Sequence, residues 1–141
     1  MTTNILFAGI GGLGAMLTSV IVAKAANLAG FEVNGSQVHG LAQRGGAIPI
    51  QLRISDQKVY SPVIREGEAD LILGFEMIEP LRYLELTNPK RTIFLVDTFK
   101  VPPSNGKQKY PSLDEVKKSI QSCAKECFFV SCSQECKERL G

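Results

Sequence analysis

The sequence predicts an α/β domain of three layers (α/β/α), with a mostly parallel sheet and one antiparallel hairpin. Short apolar runs, each followed by a segment with helical patterning, are typical of parallel strands that are buried on both faces. A glycine-rich turn at residues 9–14 joins the first run to the first helix, as at the start of a βαβ unit. The length of 141 residues, of which 44% are hydrophobic and 21% charged, fits one domain over residues 1–141.

Strands are predicted where a short apolar run ends at a glycine or a polar residue, and helices where apolar residues recur with helical spacing. In the first half these are a strand at 4–8, a helix at 15–29 ended by Gly30, an extended strand at 31–38, and strands at 47–54 and 58–60. In the second half they are a strand at 69–75, a helix at 78–86 and a strand at 92–96. A helix capped by Ser112 then runs to about residue 125, followed by a strand at 127–131 and a last helical turn capped by Ser133.

Two of these predictions bear on how the layers pack. The alternation of apolar and polar residues over 47–54 indicates a strand with one wetter face. A turn at Asp56-Gln57 joins it to the return strand at 58–60, which completes the antiparallel hairpin. The helix at 15–29 is apolar on nearly every side, with a stripe formed by Met16, Leu17, Val20, Ile21, Ala25 and Leu28.

Charge and composition exclude several classes of function. The net charge is +2 and acidic and basic residues are interspersed, so neither nucleic acid nor a membrane surface is expected as a partner. No cationic segment precedes the first apolar run, and the following long apolar stretch is broken by glycines and contains Lys24. We therefore expect no secretory signal and no membrane span, and a cytoplasmic location.

The turn that contains Gly11, Gly12 and Gly14 is the first candidate binding element. A strand, a glycine-rich turn and a helix in this order point backbone N–H groups at an anion. Three interpretations stay open: a NAD(P) or FAD site, a site for another anion or a partner's backbone, and glycines that only allow close strand–helix packing. A dinucleotide site favours an acidic residue at the end of the second strand, where this chain has Gln37.

The second candidate element is the loop that carries His39, Gln43, Arg44, Gly45 and Gly46. The imidazole of His39 can act as an acid or base near neutral pH, or simply bond within the loop. The guanidinium of Arg44 suits a carboxylate or phosphate, or a salt bridge within the chain or to a neighbouring subunit. No nucleophile, paired carboxylate or metal-ligand spacing accompanies them, so no catalytic residue is assigned.

The four cysteines follow a C-x3-C-x4-C-x3-C spacing, at Cys123, Cys127, Cys132 and Cys136. Zinc and iron–sulfur sites favour other spacings, and a predicted helix end separates the first two thiols from each other. A metal or cluster, a disulfide formed under oxidation, and plain thiols are the three interpretations, and no metal ligand is assigned.

Four ordered blocks carry a family resemblance. They are NILFAGIGGLG at 4–14, VHGLAQRGG at 38–46, VYSPVIREGEADL at 59–71 and EPLRY at 79–83. Together they resemble the gamma-type subunit of the 2-oxoacid:ferredoxin oxidoreductases, in the branch that includes the small subunit of indolepyruvate ferredoxin oxidoreductase.

The resemblance implies a part in the oxidative decarboxylation of a 2-oxoacid to an acyl-coenzyme A, with reduction of ferredoxin. It implies that thiamine diphosphate and iron–sulfur clusters reside in partner subunits, that coenzyme A is a co-substrate, and that this chain alone binds no cofactor and is not catalytic. It also implies a coenzyme A-facing surface lined by Gly11, Gly12, Gly14, His39, Gln43, Arg44, Gly45 and Gly46.

The sequence departs from that family in three places. Relatives more often have Glu at the position of Gln37 and Met at that of Leu41, and they usually continue past a final Leu-Gly, where this sequence stops at Gly141. We therefore expect either a sequence truncated at its C-terminus or a shortened relative. In both cases incomplete covering of the sheet would expose apolar surface and favour association, including a homo-oligomer. The alternatives to the subunit are a stand-alone nucleotide- or NAD(P)-binding module and a homo-oligomeric remnant without a catalytic partner.

Overall fold

The computed structural model describes residues 1–38, 46–102 and 110–140. Their strands are β1 (Thr2–Ile10), β2 (Glu32–Gln37), β3 (Ala47–Ser55), β4 (Leu71–Gly74), β5 (Ile93–Asp97) and β6 (Glu126–Val130). The helices are α1 (Ala15–Leu28), a 3₁₀ helix (Glu79–Leu86), α2 (Leu113–Gln121) and α3 (Cys132–Leu140). Among these described helices, none is long and apolar enough to cross a membrane.

The strands form one mixed sheet in the order β2-β3-β1-β4-β5-β6. β1, β4, β5 and β6 pair in parallel, whereas β3 pairs antiparallel with both β1 and β2. Because β3 lies between β1 and β2, the first βαβ unit is split by an inserted strand. The predicted fold class, a mostly parallel sheet with an antiparallel hairpin between helical layers, is confirmed.

The hairpin differs from the prediction, and the prediction of a return strand at 58–60 is wrong, because the structure describes these residues and has no strand there. Both edges of β3 are already occupied, with Ile50 opposite Phe7 on β1 and Arg53 opposite Asn34 on β2. No edge is left for a strand that follows β3, so the antiparallel hairpin consists of β2 and β3.

The segment that follows β3 instead crosses the polar face of that strand. The guanidinium of Arg53 donates to the Ser61 carbonyl at 3.1 Å, and the Ile64 N–H donates to Oε1 of Gln51 at 2.6 Å. The alternation correctly placed these polar side chains on one face. That face is covered by the chain itself.

Apolar side chains form a core on each face of the sheet. On one face α1 packs over a cluster that includes Phe7 and Ile50. On the other, the 3₁₀ helix and α2 cover a larger cluster that includes Phe94, with Val116 and Ile120 contributed by α2. The helices thus form the two outer layers.

α1 packs on the sheet mainly through small residues and Val22. Ala15 and Ser19 are buried, whereas the apolar stripe predicted on this helix lies largely on the outside, with 66% of Leu17 and 57% of Ile21 exposed. Gly30 follows the helix with a φ of 86°, so the predicted glycine at the helix end is confirmed.

The remaining helices correct the prediction in detail. In place of the α-helix predicted at 78–86 there is a 3₁₀ helix over Glu79–Leu86, with Pro80 in its first turn. Its helical geometry is interrupted at Tyr83, where φ is −128°. The helix that follows Ser112 has the predicted cap but ends at Gln121, before the chain turns into β6. α3 is capped by a carboxylate from β5, because the N–H and Oγ of Ser133 donate to Oδ2 of Asp97 at 3.0 and 2.7 Å.

Candidate functional site

The chain leaves neighbouring strands β1 and β4 toward opposite faces of the sheet. After β1 it forms α1 on one face, and after β4 it forms the 3₁₀ helix on the other. In open α/β sheets, such a change of side opens a crevice beyond the carboxyl ends of the two strands, where ligands bind. The crevice lies at the end of β1, beside the glycine-rich turn.

The glycine-rich turn borders an open cleft of about 430 Å³. Gly11, Gly12 and Gly14 form its rim, Met16 and Leu17 extend one side along α1, and the rest of the lining is Ile10, Ala15 and Ile48. None of these described lining residues has an ionisable side chain. Any charge that acts in the cleft therefore comes from the neighbouring loop, from α1 or from a ligand.

The glycines in the turn are required for two different reasons. Gly12 and Gly14 have φ values of 98° and 86°, which an L side chain rarely adopts, while a Cβ on either would meet nothing within 4 Å. Gly9, in contrast, has ordinary backbone, but its Cβ would lie 3.1 Å from that of Ala15 and 3.2 Å from that of Phe75. Close packing thus explains Gly9, whereas the backbone turn explains Gly12 and Gly14 and leaves the cleft open.

The N-terminus of α1 opens onto this cleft without a side-chain cap. Gly14 is the residue that precedes the helix, no side chain caps it, and its first turn contains no acidic residue. The first N–H groups of a helix lack intrahelical acceptors, and the helix dipole favours negative charge there. The cleft is therefore suited to an anionic group, which the turn can approach closely because it has no Cβ in the way.

The structure brings the two glycine-rich elements together where it describes both. The N–H of Gly11 donates to the carbonyl of Gly46 at 3.1 Å, and Ile10 at the end of β1 is opposite Ala47 at the start of β3. The second loop therefore ends against the glycine-rich turn. His39, Gln43, Arg44 and Gly45 lie outside the described residues.

The dinucleotide alternative finds no support in the strand order. A dinucleotide site uses two adjacent parallel strands, with an acidic residue at the end of the second. Here β3 separates β1 from β2, and β2 ends at Gln37. The geometry required for a ribose contact from β2 is absent from this part of the described structure.

The cysteines do not converge into a metal site. Cys123 and Cys127 are half-buried, Cys132 and Cys136 are exposed, and all four are free thiols. Among the residues that the structure describes, no group of three or more His, Cys, Asp or Glu is arranged to hold a metal ion. Although Cys132 is exposed, local desolvation and then the nearby Asp97 carboxylate raise the pKa of its thiol, which lowers the fraction present as reactive thiolate.

Sequence reasoning did not single out Glu76, a fully buried carboxylate that follows β4. Its Oε2 accepts from the N–H groups of Ile78 and Glu79 at 2.8 and 3.1 Å. Its Oε1 accepts from the Val101 N–H at 3.1 Å and from the hydroxyl of Tyr110. The carboxylate thereby joins the start of the 3₁₀ helix to two segments that follow β5. The signal in the sequence was an acid directly after an apolar strand, which is also common on surfaces.

Two neighbouring groups respond to this buried charge. Burial, and then the hydrogen bond to Glu76, raise the pKa of Tyr110 far above its ordinary value. Burial is also the main cause that raises the pKa of Glu79, and the charge of Glu76 adds to it, while Arg82 opposes it. Oε1 of Glu79 accepts from Arg82 at 3.2 Å, and its buried Oε2 has no hydrogen-bond partner among the described residues.

The split α/β fold, with an open cleft at its change of side, defines a class of α/β modules whose glycine-rich turn is suited to an anionic group. The chain belongs to the pyruvate ferredoxin/flavodoxin oxidoreductase family, whose model matches residues 4–141.

Two relatives share the name indolepyruvate oxidoreductase subunit IorB. The protein of Archaeoglobus fulgidus is 45% identical over 119 residues, which are 82% of this chain and 58% of the relative. The protein of Methanothermobacter thermautotrophicus is 38% identical over 127 residues, which are 88% of this chain and 63% of the relative. The chain thus spans about three-fifths of the length of these relatives.

Solved structures show the same fold. The gamma subunit of a keto/oxoacid ferredoxin oxidoreductase from Geobacter sulfurreducens aligns with a TM-score of 0.57 and 31% identity, over 73% of this chain and 56% of that one. The 2-oxoglutarate:ferredoxin oxidoreductase of Magnetococcus marinus, solved with 2-oxoglutarate, coenzyme A and succinyl-CoA bound, aligns with a TM-score of 0.69 over 97% of this chain and 21% of that one. At 23% identity the second likeness concerns the fold alone.

Proposed function

We propose that this chain is the gamma-type subunit of a 2-oxoacid:ferredoxin oxidoreductase that converts a 2-oxoacid to an acyl-coenzyme A and reduces ferredoxin. The observation that supports the proposal is the open cleft between the glycine-rich turn and the uncapped N-terminus of α1, in a chain that belongs to this family. The names of the relatives make indolepyruvate the first 2-oxoacid to test.

The proposed role of the chain is to bind and orient coenzyme A. Gly12 and Gly14 let the turn approach a phosphate, and the uncapped N-terminus of α1 offers N–H donors and a favourable dipole. Arg44 is proposed to add a bidentate contact to a phosphate from the adjoining loop, together with Gln43, His39 and the backbone of Gly45. Gly46 and Gly11 join that loop to the turn.

The chemistry of bond cleavage is assigned to partner subunits. Thiamine diphosphate and iron–sulfur clusters, when bound there, would supply the chemistry of decarboxylation and of electron transfer. The described lining of the cleft has no acid, base or nucleophile that could replace them. The contribution of this chain is therefore assembly and the positioning of the coenzyme A thiol for acyl transfer.

The test uses the full-length protein in complex with its partner, under anaerobic conditions. We expect 2-oxoacid- and coenzyme A-dependent reduction of a viologen dye, with indolepyruvate compared against pyruvate and 2-oxoglutarate. Arg44→Ala is expected to raise the KM for coenzyme A roughly tenfold, the loss of one charge-assisted contact, and to leave the KM for the 2-oxoacid unchanged.

The matched control for that variant is Arg65→Ala, which removes an exposed guanidinium at a distance in sequence from both glycine-rich elements. An unchanged KM for coenzyme A in Arg44→Ala would remove Arg44 from the site. A complex that reduces no dye with any of the 2-oxoacids would overturn the proposed function itself.

A further inference from the structure

The outer surface of α1 is unusually apolar for a helix at the edge of a domain. Ala15, Ser19 and Val22 face the sheet, whereas five large apolar residues are exposed to between 44% and 90%. These exposed residues are Met16, Leu17, Val20, Ile21 and Leu28. Helices that are apolar on all sides are buried in larger structures, and contiguous exposed apolar surface marks interaction sites.

The apolar surface continues beyond the helix at both ends. At the N-terminal end, Met16 and Leu17 also line the cleft at the glycine-rich turn. At the C-terminal end, Ile21 and Ala25 line a second, apolar groove of about 480 Å³ that includes Phe31. A helix of 14 residues is about 21 Å long, so one apolar strip of roughly that length connects the cleft with the groove.

We propose that this strip, defined by Leu17, Ile21, Lys24, Leu28 and Phe31 and called the α1 strip below, is the docking surface for the thiamine diphosphate-bearing partner subunit. The inference rests on the proposed function, which supplies that partner. Because Leu17 belongs both to the strip and to the lining of the cleft, the docked partner also lies beside the proposed coenzyme A site.

The charge of the strip decides between a different chain and a second copy of this one. Lys24 is the single charged residue of α1, which contains no acidic residue at all. It lies on the same ridge as Leu17, Ile21 and Leu28, at the 4-3-4 spacing of a helix-packing seam. If α1 packed against α1 of a second copy, two lysines would meet near the centre with no carboxylate in either helix to pair with them.

A partner of different sequence avoids this repulsion. The strip fits a largely apolar surface, such as one or two helices, that carries an aspartate or glutamate opposite Lys24. An ion pair between Lys24 and that carboxylate would also fix the register of the partner along α1, which apolar contacts alone do not. The occupant is therefore a complementary subunit with one acidic residue in an apolar patch.

The experiment measures binding between the separately purified full-length protein and its partner subunit. Ile21→Glu places a carboxylate in the apolar strip, and Lys24→Glu reverses the one charge of the strip. We expect the Kd to rise at least about thirtyfold for Ile21→Glu and about tenfold for Lys24→Glu, since central interface residues commonly have effects of this size. Val63→Glu is the matched control, because Val63 is 53% exposed, as against 57% for Ile21, and lies outside α1.

The same preparations separate failure of this inference from failure of the proposed function. Circular dichroism melting shows that each variant is folded, and Lys24→Glu provides a second probe that changes no apolar contact. If the wild-type complex assembles and is active but both variants bind as tightly as Val63→Glu, the docking surface lies elsewhere and the proposed function stands. If the variants instead abolish self-association of the isolated chain and leave partner binding unchanged, a second copy covers the strip. If the wild-type protein does not bind the partner, both proposals are wrong.

Discussion

Buried carboxylates are the residues whose chemistry the sequence conceals most completely. Glu76 and Glu79 occur three residues apart at the start of a polar helix, a position where acids are usually solvated and interact with the helix dipole. In the structure Glu76 is fully buried among four donors, whereas Glu79 is buried with one oxygen that has no hydrogen-bond partner in the described part of the chain. The sequence pattern does not distinguish these two environments, because the Glu76 carboxylate is bonded by Val101 and Tyr110, which follow β5 in the chain.

A pH-dependent contribution of Glu79 to stability follows from its environment. Burial raises its folded-state pKa above the ordinary value of 4.5, so the folded state holds this proton more tightly than the unfolded state does. The stabilising difference is complete below pH 4.5 and is lost as pH rises toward the higher folded-state pKa. We therefore expect wild-type stability, relative to Glu79→Gln, to fall as pH increases above 4.5.

Urea unfolding followed by far-UV circular dichroism at several pH values tests this expectation. Glu66→Gln, at an exposed position, reports the general effect of removing one carboxylate. A difference between wild type and Glu79→Gln that stays constant with pH would show that Glu79 is ionised equally easily in both states.

The glycines show how far sequence reasoning reaches at the residue scale. The turn at Gly12 and Gly14 was recognisable, because several glycines between a strand and a helix indicate positive φ values. The sequence did not show that Gly9 is required for a different reason from Gly12 and Gly14. The spacing of glycines does not distinguish a positive φ from close packing. Its neighbours Ala15 and Phe75 become apparent only once the strands are assembled.

At the scale of elements, the joint between β4 and the 3₁₀ helix depends on Gly74. A Cβ at this position would lie 2.4 Å from Cγ of Pro80 and 3.1 Å from a methyl carbon of Val96. Both neighbours are held in the core, and the pyrrolidine ring has little freedom to move.

Gly74→Ala is therefore expected to destabilise the fold by about 2–3 kcal/mol, as overpacked cores do. Gly9→Ala is the comparison, because its closest contact would be 3.1 Å and the expected loss is smaller. Thermal melts of the two variants and the wild type show whether Gly74→Ala lowers the melting temperature more than Gly9→Ala does. Equal melting temperatures for Gly74→Ala and the wild type would mean that the 3₁₀ helix moves away from β4 at little cost.

Element types were more predictable than element partners. The glycine after α1 and the capping box of α2, in which Ser112 and Glu115 bond each other, are local signals and were recognisable. The pairing of β3 with β1 and β2 is non-local, and a plausible short strand at 58–60 competed with it. The sequence also did not determine which side of α1 faces the sheet. A helix that is apolar on nearly every side gives no signal for this, and only the packing in the structure shows it.

At the scale of the whole molecule, stability is concentrated at the centre of the sheet. β1 is paired on both edges, and its residues from Asn4 to Ile10 are all buried. α3, in contrast, is exposed along most of its described length. The candidate site is anchored in the stable part of the molecule, since the glycine-rich turn directly follows β1, whose residues from Asn4 onward are buried.

Native-state hydrogen exchange should reveal this gradient. We expect amides of Leu6, Phe7 and Ala8 to exchange only through global unfolding, at a free energy of roughly 5–15 kcal/mol. Amides of α3 should exchange through local opening at several kcal/mol less, because few apolar contacts hold that helix. Equal protection of α3 and β1 would contradict this distribution of stability.

The exchange of α1 connects the gradient with the assembly. In the isolated chain, α1 is held to the sheet by few side chains, chiefly Ala15, Ser19 and Val22, so its amides should open more easily than those of β1. Docking of the partner on the α1 strip buries Leu17, Ile21 and Leu28 and should raise the protection of α1 selectively, while α3 stays unchanged. Binding that protects α3 and leaves α1 as before would move the interface to the opposite end of the chain. The exposed apolar helix would then need another explanation.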